Sequence, residues 1–154
     1  MATTFDVTAL GRFVGTNAPY GKGSFGIVKL NINIPKILSE KPISVLDGSA
    51  ADILQVWDIP VGCAIFGVLL APTTVEGATT TVTVGDVTNA AGYLAASSIN
   101  ALTKVGTVVG DAYGAAHKVY SSSTPLTLTF GTEATITTAI FDIYVYCMFC
   151  EDVM

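Results

Sequence analysis

The chain has 154 residues, which is enough for one domain with a sizeable core and no need for disulfides or metal ions. Only 12% of the residues are charged, whereas soluble domains average about 25%. Small uncharged residues must therefore cover much of the surface, which is typical of chains that pack against other subunits. The net charge of −5 argues against nucleic-acid binding, which requires a basic surface.

The charges are unevenly distributed along the chain. The first 41 residues carry +3, from Arg12, Lys22, Lys29, Lys36 and Lys41 against Asp6 and Glu40, and the rest carries −8. Two interpretations stay open. Either the basic segment pairs with an acidic body, in the same copy or in a neighbouring one, or the uneven distribution of charge arises by chance.

No targeting segment is apparent. Residues 1–20 lack the charged start and apolar run of a signal peptide, and the longest uncharged stretch, Ile59–Val75, is too short and too interrupted by proline and glycine for a membrane span. We therefore expect cytosolic synthesis and assembly, no membrane association, and reduced cysteines at positions 63, 147 and 150.

Residues 1–26 are predicted to form an extended, irregular N-terminal arm. Five glycines in this segment oppose a stable helix or strand. Its four aromatic residues nevertheless imply burial, because disordered segments are poor in aromatics. An arm that packs along its own body or along a neighbour satisfies both observations.

Residues 27–154 are predicted to form an antiparallel β-sandwich, so the fold class is all-β. Alternating apolar and polar residues, or short apolar runs between turn residues, predict eight or nine strands. A jelly-roll-like topology is the natural choice at this number. The stretch Ala90–Leu102 is the only predicted helix, of one or two turns, or else a structured loop. The strands are expected near 27–34, 43–46, 51–59, 63–71, 79–84, 104–109, 117–120, 126–130 and 135–149.

One motif resembles a nucleotide-binding loop. Gly21–Val28 fits the pattern G-x-G-x-x-G-x-V that covers ATP phosphates in protein kinases. No catalytic loop or metal-binding motif follows it, and no strand–helix context makes it a dinucleotide site. We therefore expect no nucleotide cofactor.

The remaining motifs do not predict a catalytic or metal site. Cys147 and Cys150 have C-x-x-C spacing, but in a strand an odd separation directs their sulfurs to opposite faces. Asp86–Gly92 offers oxygen ligands but lacks the closing acid of a calcium loop. The single histidine, His117, has no nucleophile motif beside it. A carboxylate pair among the twelve acids stays open, although no spacing indicates one. We predict no enzyme activity, no cofactor and no metal.

Trp57 lies in the predicted strand V-W-D-I-P. Its ring is suited to stacking on a sugar, as in lectins, or to packing in the core, and packing is the more common use. A carbohydrate-binding module is therefore an alternative function.

Part of the sequence resembles small structural proteins of tailed bacteriophages. The resemblance covers Leu54–Val153 and runs through V-W-D-I-P-V-G, then T-V-E-G-A-T-T-T-V-T-V-G-D-V-T-N-A-A-G-Y-L, then A-Y-G-A-A-H-K-V-Y-S-S-S-T-P-L-T-L-T-F-G. Its sharpest positions are Gly85, Asp86, Gly92, Tyr93 and Leu94.

The resemblance implies a virion protein, most like a capsid decoration (cement) protein, with a tail, fibre or neck component as the alternative. It implies a location on the capsid exterior, the major capsid protein as partner, and a homo-oligomer, with a trimer favoured. The arm is then the candidate element that contacts a neighbour. Its candidate contact residues are Phe5, Arg12, Phe13, Tyr20, Lys22 and Phe25.

Overall fold

Two five-stranded sheets pack face to face in the computed structural model. It describes residues 3–6, 13–15, 25–41, 43–77, 79–107, 113, 116, 118–133 and 135–149. In chain order the elements are β1 (Thr4–Asp6), β2 (Phe13–Gly15), β3 (Phe25–Asn33), α1 (Ile34–Glu40), β4 (Ile53–Ile59), β5 (Cys63–Thr74), β6 (Thr81–Asp86), β7 (Leu94–Ser98), β8 (Val105–Thr107), β9 (Thr124–Gly131) and β10 (Ile140–Phe149).

The first sheet has the strand order β1-β4-β9-β6-β7 and the second β2-β3-β10-β5-β8. Every pair is antiparallel except β1 with β4, which is parallel. The prediction of an all-β, mainly antiparallel sandwich is confirmed. Its jelly-roll connectivity stays a prediction.

The core lies between the sheets and follows the period of two that strands impose. In β10 the residues Phe141, Ile143 and Val145 are fully buried, and in β9 Leu126, Leu128 and Phe130 are buried opposite them. The rings of Phe130 and Phe141 meet edge to face with centroids 6.5 Å apart, so the two central strands contact each other across the sandwich.

Helix α1 differs from the prediction, which has a strand over 27–34 and no helix after it. The strand ends at Asn33, and Pro35 is the second residue of α1, in the first turn, where proline's missing N–H costs nothing. The side chain of Asn33 caps the helix by accepting a hydrogen bond from the Lys36 N–H at 3.0 Å. Ile34 and Ile37 anchor the helix in the core. Among the described residues, no helix is long and apolar enough to cross a membrane.

The helix predicted within Ala90–Leu102 is wrong. Residues 94–98 form β7, which pairs with β6 at the edge of the first sheet. Alanine-rich composition favours a helix locally, but burial of Leu94 and Ser97 along this edge outweighs that preference. Two other predicted strands, 43–46 and the described part of 117–120, which is 118–120, contain only isolated bridges, Leu46 with Ile136 and Val119 with Ala64.

The predicted arm contributes short strands to both sheets. β1 adds to the edge of the first sheet beside β4, and β2 adds to the second beside β3. Asp52, which is buried, holds the start of the chain by accepting a hydrogen bond from the Thr3 N–H at 2.8 Å, and the Ile53 N–H donates to the Thr3 carbonyl at 2.7 Å. The boundary predicted between arm and body at residue 26 stays a prediction.

Candidate functional site

The densest polar cluster surrounds the carboxylate of Asp86, at the end of β6. Asp86 is 2% exposed, and its own loop supplies two donors, the backbone N–H groups of Thr88 at 2.8 Å and Asn89 at 3.0 Å. These two bonds form an Asx turn, the local structure for which aspartate is well suited. The loop that resembled a calcium site is therefore closed around its own acid.

Residues distant in sequence supply the other partners of Asp86. The ammonium of Lys118 lies 2.6 Å from Oδ2, and the hydroxyl of Tyr120 donates to the same oxygen at 2.9 Å. Tyr113 donates to Oδ1 at 3.4 Å, and the hydroxyls of Tyr93 and Tyr120 are hydrogen-bonded at 2.7 Å. We call Asp86, Tyr93, Tyr113, Lys118 and Tyr120 the Asp86 network.

The tyrosine rings also surround the ammonium group. The Lys118 Nζ lies 3.8 Å from the centroid of Tyr113 and 4.8 Å from that of Tyr120, within range for cation–π attraction. The Lys118 side chain is 29% exposed, so the network lies at the border of the core. The ion pair therefore closes one end of the sandwich between the β6–β7 loop and the segment before β9.

The network fixes the charge state of its members. Burial would raise the pKa of Asp86, but the hydrogen bonds from Lys118, Asn89, Thr88 and Tyr120 outweigh it and hold this pKa below its usual value. Burial would lower the pKa of Lys118, and the carboxylate outweighs that effect and raises it. Burial raises the pKa values of Tyr93 and Tyr120. At neutral pH the pair is thus ionised and both tyrosines are neutral.

Two glycines allow the network to close. A Cβ at Gly85 would lie 2.0 Å from the Asn89 carbonyl oxygen, and one at Gly92 would lie 2.3 Å from the ring of Tyr113. Four of the five sharpest positions of the sequence resemblance, Gly85, Asp86, Gly92 and Tyr93, therefore belong to or border this network, and the fifth, Leu94, is a buried residue of β7. Sequence analysis missed its partner Lys118, since nothing in the local sequence relates that lysine to an acid 32 residues away.

The chemistry available to this cluster is limited. Its carboxylate is saturated with donors and its lysine is protonated, so neither acts as a base or a nucleophile. Among the described residues, no group of three histidine, cysteine or acidic side chains is placed to hold a metal ion. The network stabilises the fold and holds a loop in place.

A second saturated carboxylate lies at the opposite end of the sandwich. Glu76 accepts hydrogen bonds from the N–H groups of Thr137, Thr138 and Ala139 at 3.0, 2.6 and 2.8 Å. Burial would raise the pKa of Glu76, and these bonds outweigh it and lower it. Like Asp86, Glu76 acts as a structural cap, here for the segment that leads into β10.

The outer surface of the second sheet is the most distinctive exposed surface. Neighbouring positions on β3, β10 and β5 place Tyr144 between Lys29 and Leu69, and Tyr146 beside Ile27. A shallow groove of about 310 Å³ crosses this surface, lined in part by Leu69, Tyr144 and Tyr146. We call the outward residues of these strands the aromatic face: Ile27, Lys29, Asn31, Leu69, Asp142, Tyr144 and Tyr146.

The outer surface of the first sheet has a different chemistry. Its outward residues, which we call the threonine face, are Gln55, Thr81, Thr83, Thr127 and Thr129. A cleft of about 420 Å³ lies between this face and the loop that follows Asp86. This face is only partly open to solvent, since Thr127 is 3% exposed and the Thr129 hydroxyl is buried without a hydrogen-bond partner among the described residues. Ile53 lies in the same cleft.

The structure describes only part of the predicted contact set. Phe5 lies in β1, is half-buried and packs against the protein's own core. The backbones of Phe13 and Phe25 lie in β2 and β3. Arg12, Tyr20 and Lys22 lie outside the described residues. The structure thus does not bring these six residues together as one site, and their role in contacting a neighbour stays a prediction.

The described residues of the other motifs lie in strands or pack against the core. Trp57 is half-buried and packs against the core, as the packing interpretation predicted. Cys63 and Cys147 are buried and form no disulfide. Of the glycine motif, residues 25–28 lie in β3, and residues 21–24 lie outside the described residues, as do His117 and Cys150.

Comparison with known proteins shows the fold. No protein-family model and no curated protein matches the chain. The chain is similar to one in the capsid of Ralstonia phage GP4, with a TM-score of 0.64 and 15% identity over 94% of this chain and 97% of that one. It is also similar to a chain in the capsid asymmetric unit of cyanophage Pam1, with a TM-score of 0.58 and 19% identity over 86% and 91%.

We predict that Lys118→Met destabilises the protein far more than Lys36→Met. The first variant leaves the buried Asp86 carboxylate without its counter-ion, a change that typically costs about 3–5 kcal/mol. The second breaks the Lys36–Glu40 pair of α1, in which the two side chains are 56% and 34% exposed, and exposed pairs of this kind contribute about 0–1 kcal/mol. Urea denaturation of both variants measures the difference. Equal losses would contradict the role of the network.

Asp86→Asn is expected to change the dependence of stability on pH. The pKa of Asp86 is lower in the folded protein than in the unfolded chain, where it is about 3.9. Its stabilisation is therefore complete above that value and is lost as the pH falls through the folded-state pKa. The free energy of unfolding of the wild type should fall more steeply than that of Asp86→Asn between about pH 5 and pH 2. Parallel curves would show that the carboxylate does not stabilise the fold.

Gly85→Ala should destabilise the protein by about 1–3 kcal/mol, because the added methyl group clashes with the Asn89 carbonyl and overpacks the loop. Gly77→Ala is the matched control, since a Cβ there would lie 3.5 Å from its nearest neighbour, a Glu133 side-chain oxygen. Thermal unfolding of both variants tests the difference. A melting temperature as low for Gly77→Ala as for Gly85→Ala would refute the explanation.

Proposed function

We propose that this protein is a structural component of a tailed-phage virion that binds to the outside of the capsid. The observation that carries the proposal is the likeness to a chain in the capsid of Ralstonia phage GP4 over nearly the full length of both chains. At this identity the likeness concerns the fold, and fold alone does not fix function. The proposal therefore also depends on the character of the surface and of the polar clusters.

The polar clusters support binding rather than catalysis. The two carboxylates with the most hydrogen-bond donors, Asp86 and Glu76, are occupied by structural bonds. The low proportion of charged residues, 12%, suits a surface that is covered by other subunits. We propose that the protein is not an enzyme and uses no cofactor.

We propose a decoration role in which the protein, as a homo-oligomer and most simply a trimer, binds across neighbouring copies of the major capsid protein. Each contact adds buried area at a seam of the shell, which opposes the outward pressure of packaged DNA. Many identical weak contacts act together, so modest affinity at each is sufficient. The protein is added to the exterior of the capsid, and this assembly takes place in the host cytoplasm.

The basic arm is the proposed contact element. It carries Arg12 and Lys22, and an extended segment of this kind is suited to adding a strand at an exposed sheet edge of a neighbour. Since β1 is anchored to the body through Asp52 and Phe5, and β2 through its pairing with β3, residues 7–12 and 16–24 are the part proposed to contact a neighbour.

Full-length protein is expected to co-sediment with heads of its phage from which it has been stripped. Deletion of residues 1–24 should weaken this binding. Because the deletion also removes β1 and β2, the charge-reversed variant Arg12→Glu/Lys22→Glu is the second test. It retains the β1 anchor and should bind heads at least about tenfold more weakly, with an unchanged melting temperature.

The alternatives give different results. Sedimentation with isolated tails instead of heads would replace the decoration role with a tail or neck role. Reproducible binding on a glycan array without any sedimentation with virion parts would favour a lectin. Normal attachment of both arm variants would disprove the role of the arm but not the location on the head.

A further inference from the structure

The two outer surfaces of the sandwich differ in the residues that commonly form protein interfaces. The aromatic face carries Tyr144, Tyr146, Leu69 and Ile27, and Ile27 is 43% exposed. Tyrosine is enriched at the centres of protein interfaces. Threonine and glutamine of the threonine face are not. The aromatic face is therefore the surface of the body that gains most from being covered.

The polar groups of the aromatic face are already paired with each other. Lys29 Nζ lies 3.0 Å from Asp142 Oδ2, and the Asn31 amide donates to Asp142 Oδ1 at 2.8 Å. The same ammonium lies 5.6 Å from the ring centroid of Tyr144. A partner can therefore cover Lys29, Asn31 and Asp142 without supplying a counter-ion. Lys104, which also lines the groove, adds one positive charge at the border of the face.

Electrostatics indicates where two copies of this chain can meet. Each copy carries a net charge of −5, so two copies repel each other on average. Acids outnumber bases at one end of the sandwich, where the loops carry Asp47, Asp52, Glu76 and Glu133. Helix α1 lies at the same end through the hydrogen bond from the Ile34 N–H to the Ala139 carbonyl, and it adds Glu40 against Lys36 and Lys41. The aromatic face carries none of these acids, so copies can bring it together at little electrostatic cost.

The size of the aromatic face is also adequate. Its three long strands have 9, 10 and 12 residues. At about 3.3 Å per residue and about 4.8 Å per strand, they and the short strands beside them cover roughly 550 Å² of flat area. The accessible area of side chains exceeds the flat area, so the face approaches the about 800 Å² per partner of a standard interface.

We infer that the aromatic face is the self-association surface of this protein, covered by a second copy of the same chain. The inference deepens the proposed function in one respect, because it gives the proposed homo-oligomer its interface. It does not depend on the attachment to a capsid. Tyr144 and Tyr146 are its central residues.

The test compares glutamate substitutions on the two outer surfaces of the full-length protein. Tyr144→Glu and Tyr146→Glu should raise the dissociation constant of the oligomer at least about tenfold in sedimentation equilibrium. Gln55→Glu and Thr83→Glu, which add the same charge to the threonine face, should leave that constant unchanged. Circular dichroism and the melting temperature establish that each variant is folded. Tyr144→Phe retains the ring and should retain the oligomer, which separates lost packing from a lost hydroxyl.

Several results would overturn the inference. The first is a wild-type protein that stays monomeric at about 100 µM, well above the micromolar range of weak specific complexes. The second is a pair of tyrosine variants that associate as strongly as the wild type does. If Tyr144→Glu abolishes head binding while the oligomer is intact, the face binds the shell and not a second copy, and the proposed function still stands. If the oligomer dissociates but the protein never binds heads, the self-association surface stands and the proposed function fails.

Discussion

The rest of this structure depends on the pairing of its last long strand, β10, in the middle of the second sheet. β10 pairs along its whole length with β3 on one side and β5 on the other, so strands from the beginning, middle and end of the described chain meet there. Its inward residues, Phe141, Ile143 and Val145, form much of the core. Its outward residues, Asp142, Tyr144 and Tyr146, form the centre of the aromatic face. Because side chains alternate along a strand, one segment determines both the stability of the sandwich and the chemistry of its outer surface.

The Asp86 network explains why a sequence resemblance to phage proteins is sharpest at residues that have no catalytic role. Asp86 is buried at the end of β6, where a charged group is tolerated only with a full set of partners. The loop can close around these partners because Gly85 and Gly92 have no side chain. Tyr93 supports the network through the hydrogen bond between its hydroxyl and that of Tyr120. The motif therefore consists of residues that close a turn, and it indicates a fold more directly than it indicates an activity.

The sequence was sufficient for the fold class and for most strands, because the period of two is a local signal and the apolar run in β5 is unmistakable. It was insufficient where the outcome depended on distant residues. Pro35 lies in the first turn of a helix and does not simply end a strand, since Asn33 caps that helix and Ile34 and Ile37 reach the core. The alanine-rich segment 94–98 is a strand, since β6 offers it an edge. The ion pair of Asp86 with Lys118 joins residues 32 positions apart and has no sequence signature. The aromatic face follows from the pattern of β10, but only pairing with β3 and β5 shows which residues lie beside Tyr144.

The contrast between the two outer surfaces gives the sandwich a polarity that its net charge alone does not show. A surface of paired charges and tyrosines loses little and gains much when water is removed from it. The threonine face gains less, because part of it is already covered and Thr127 is 3% exposed. Acids outnumber bases at the end where the loops before β4, before β6 and before β10 meet, so this end disfavours contact with another acidic surface. A body whose faces and ends differ in this way has few ways to pack against itself. It therefore specifies the orientation of its neighbours, as the proposed place on a regular shell requires.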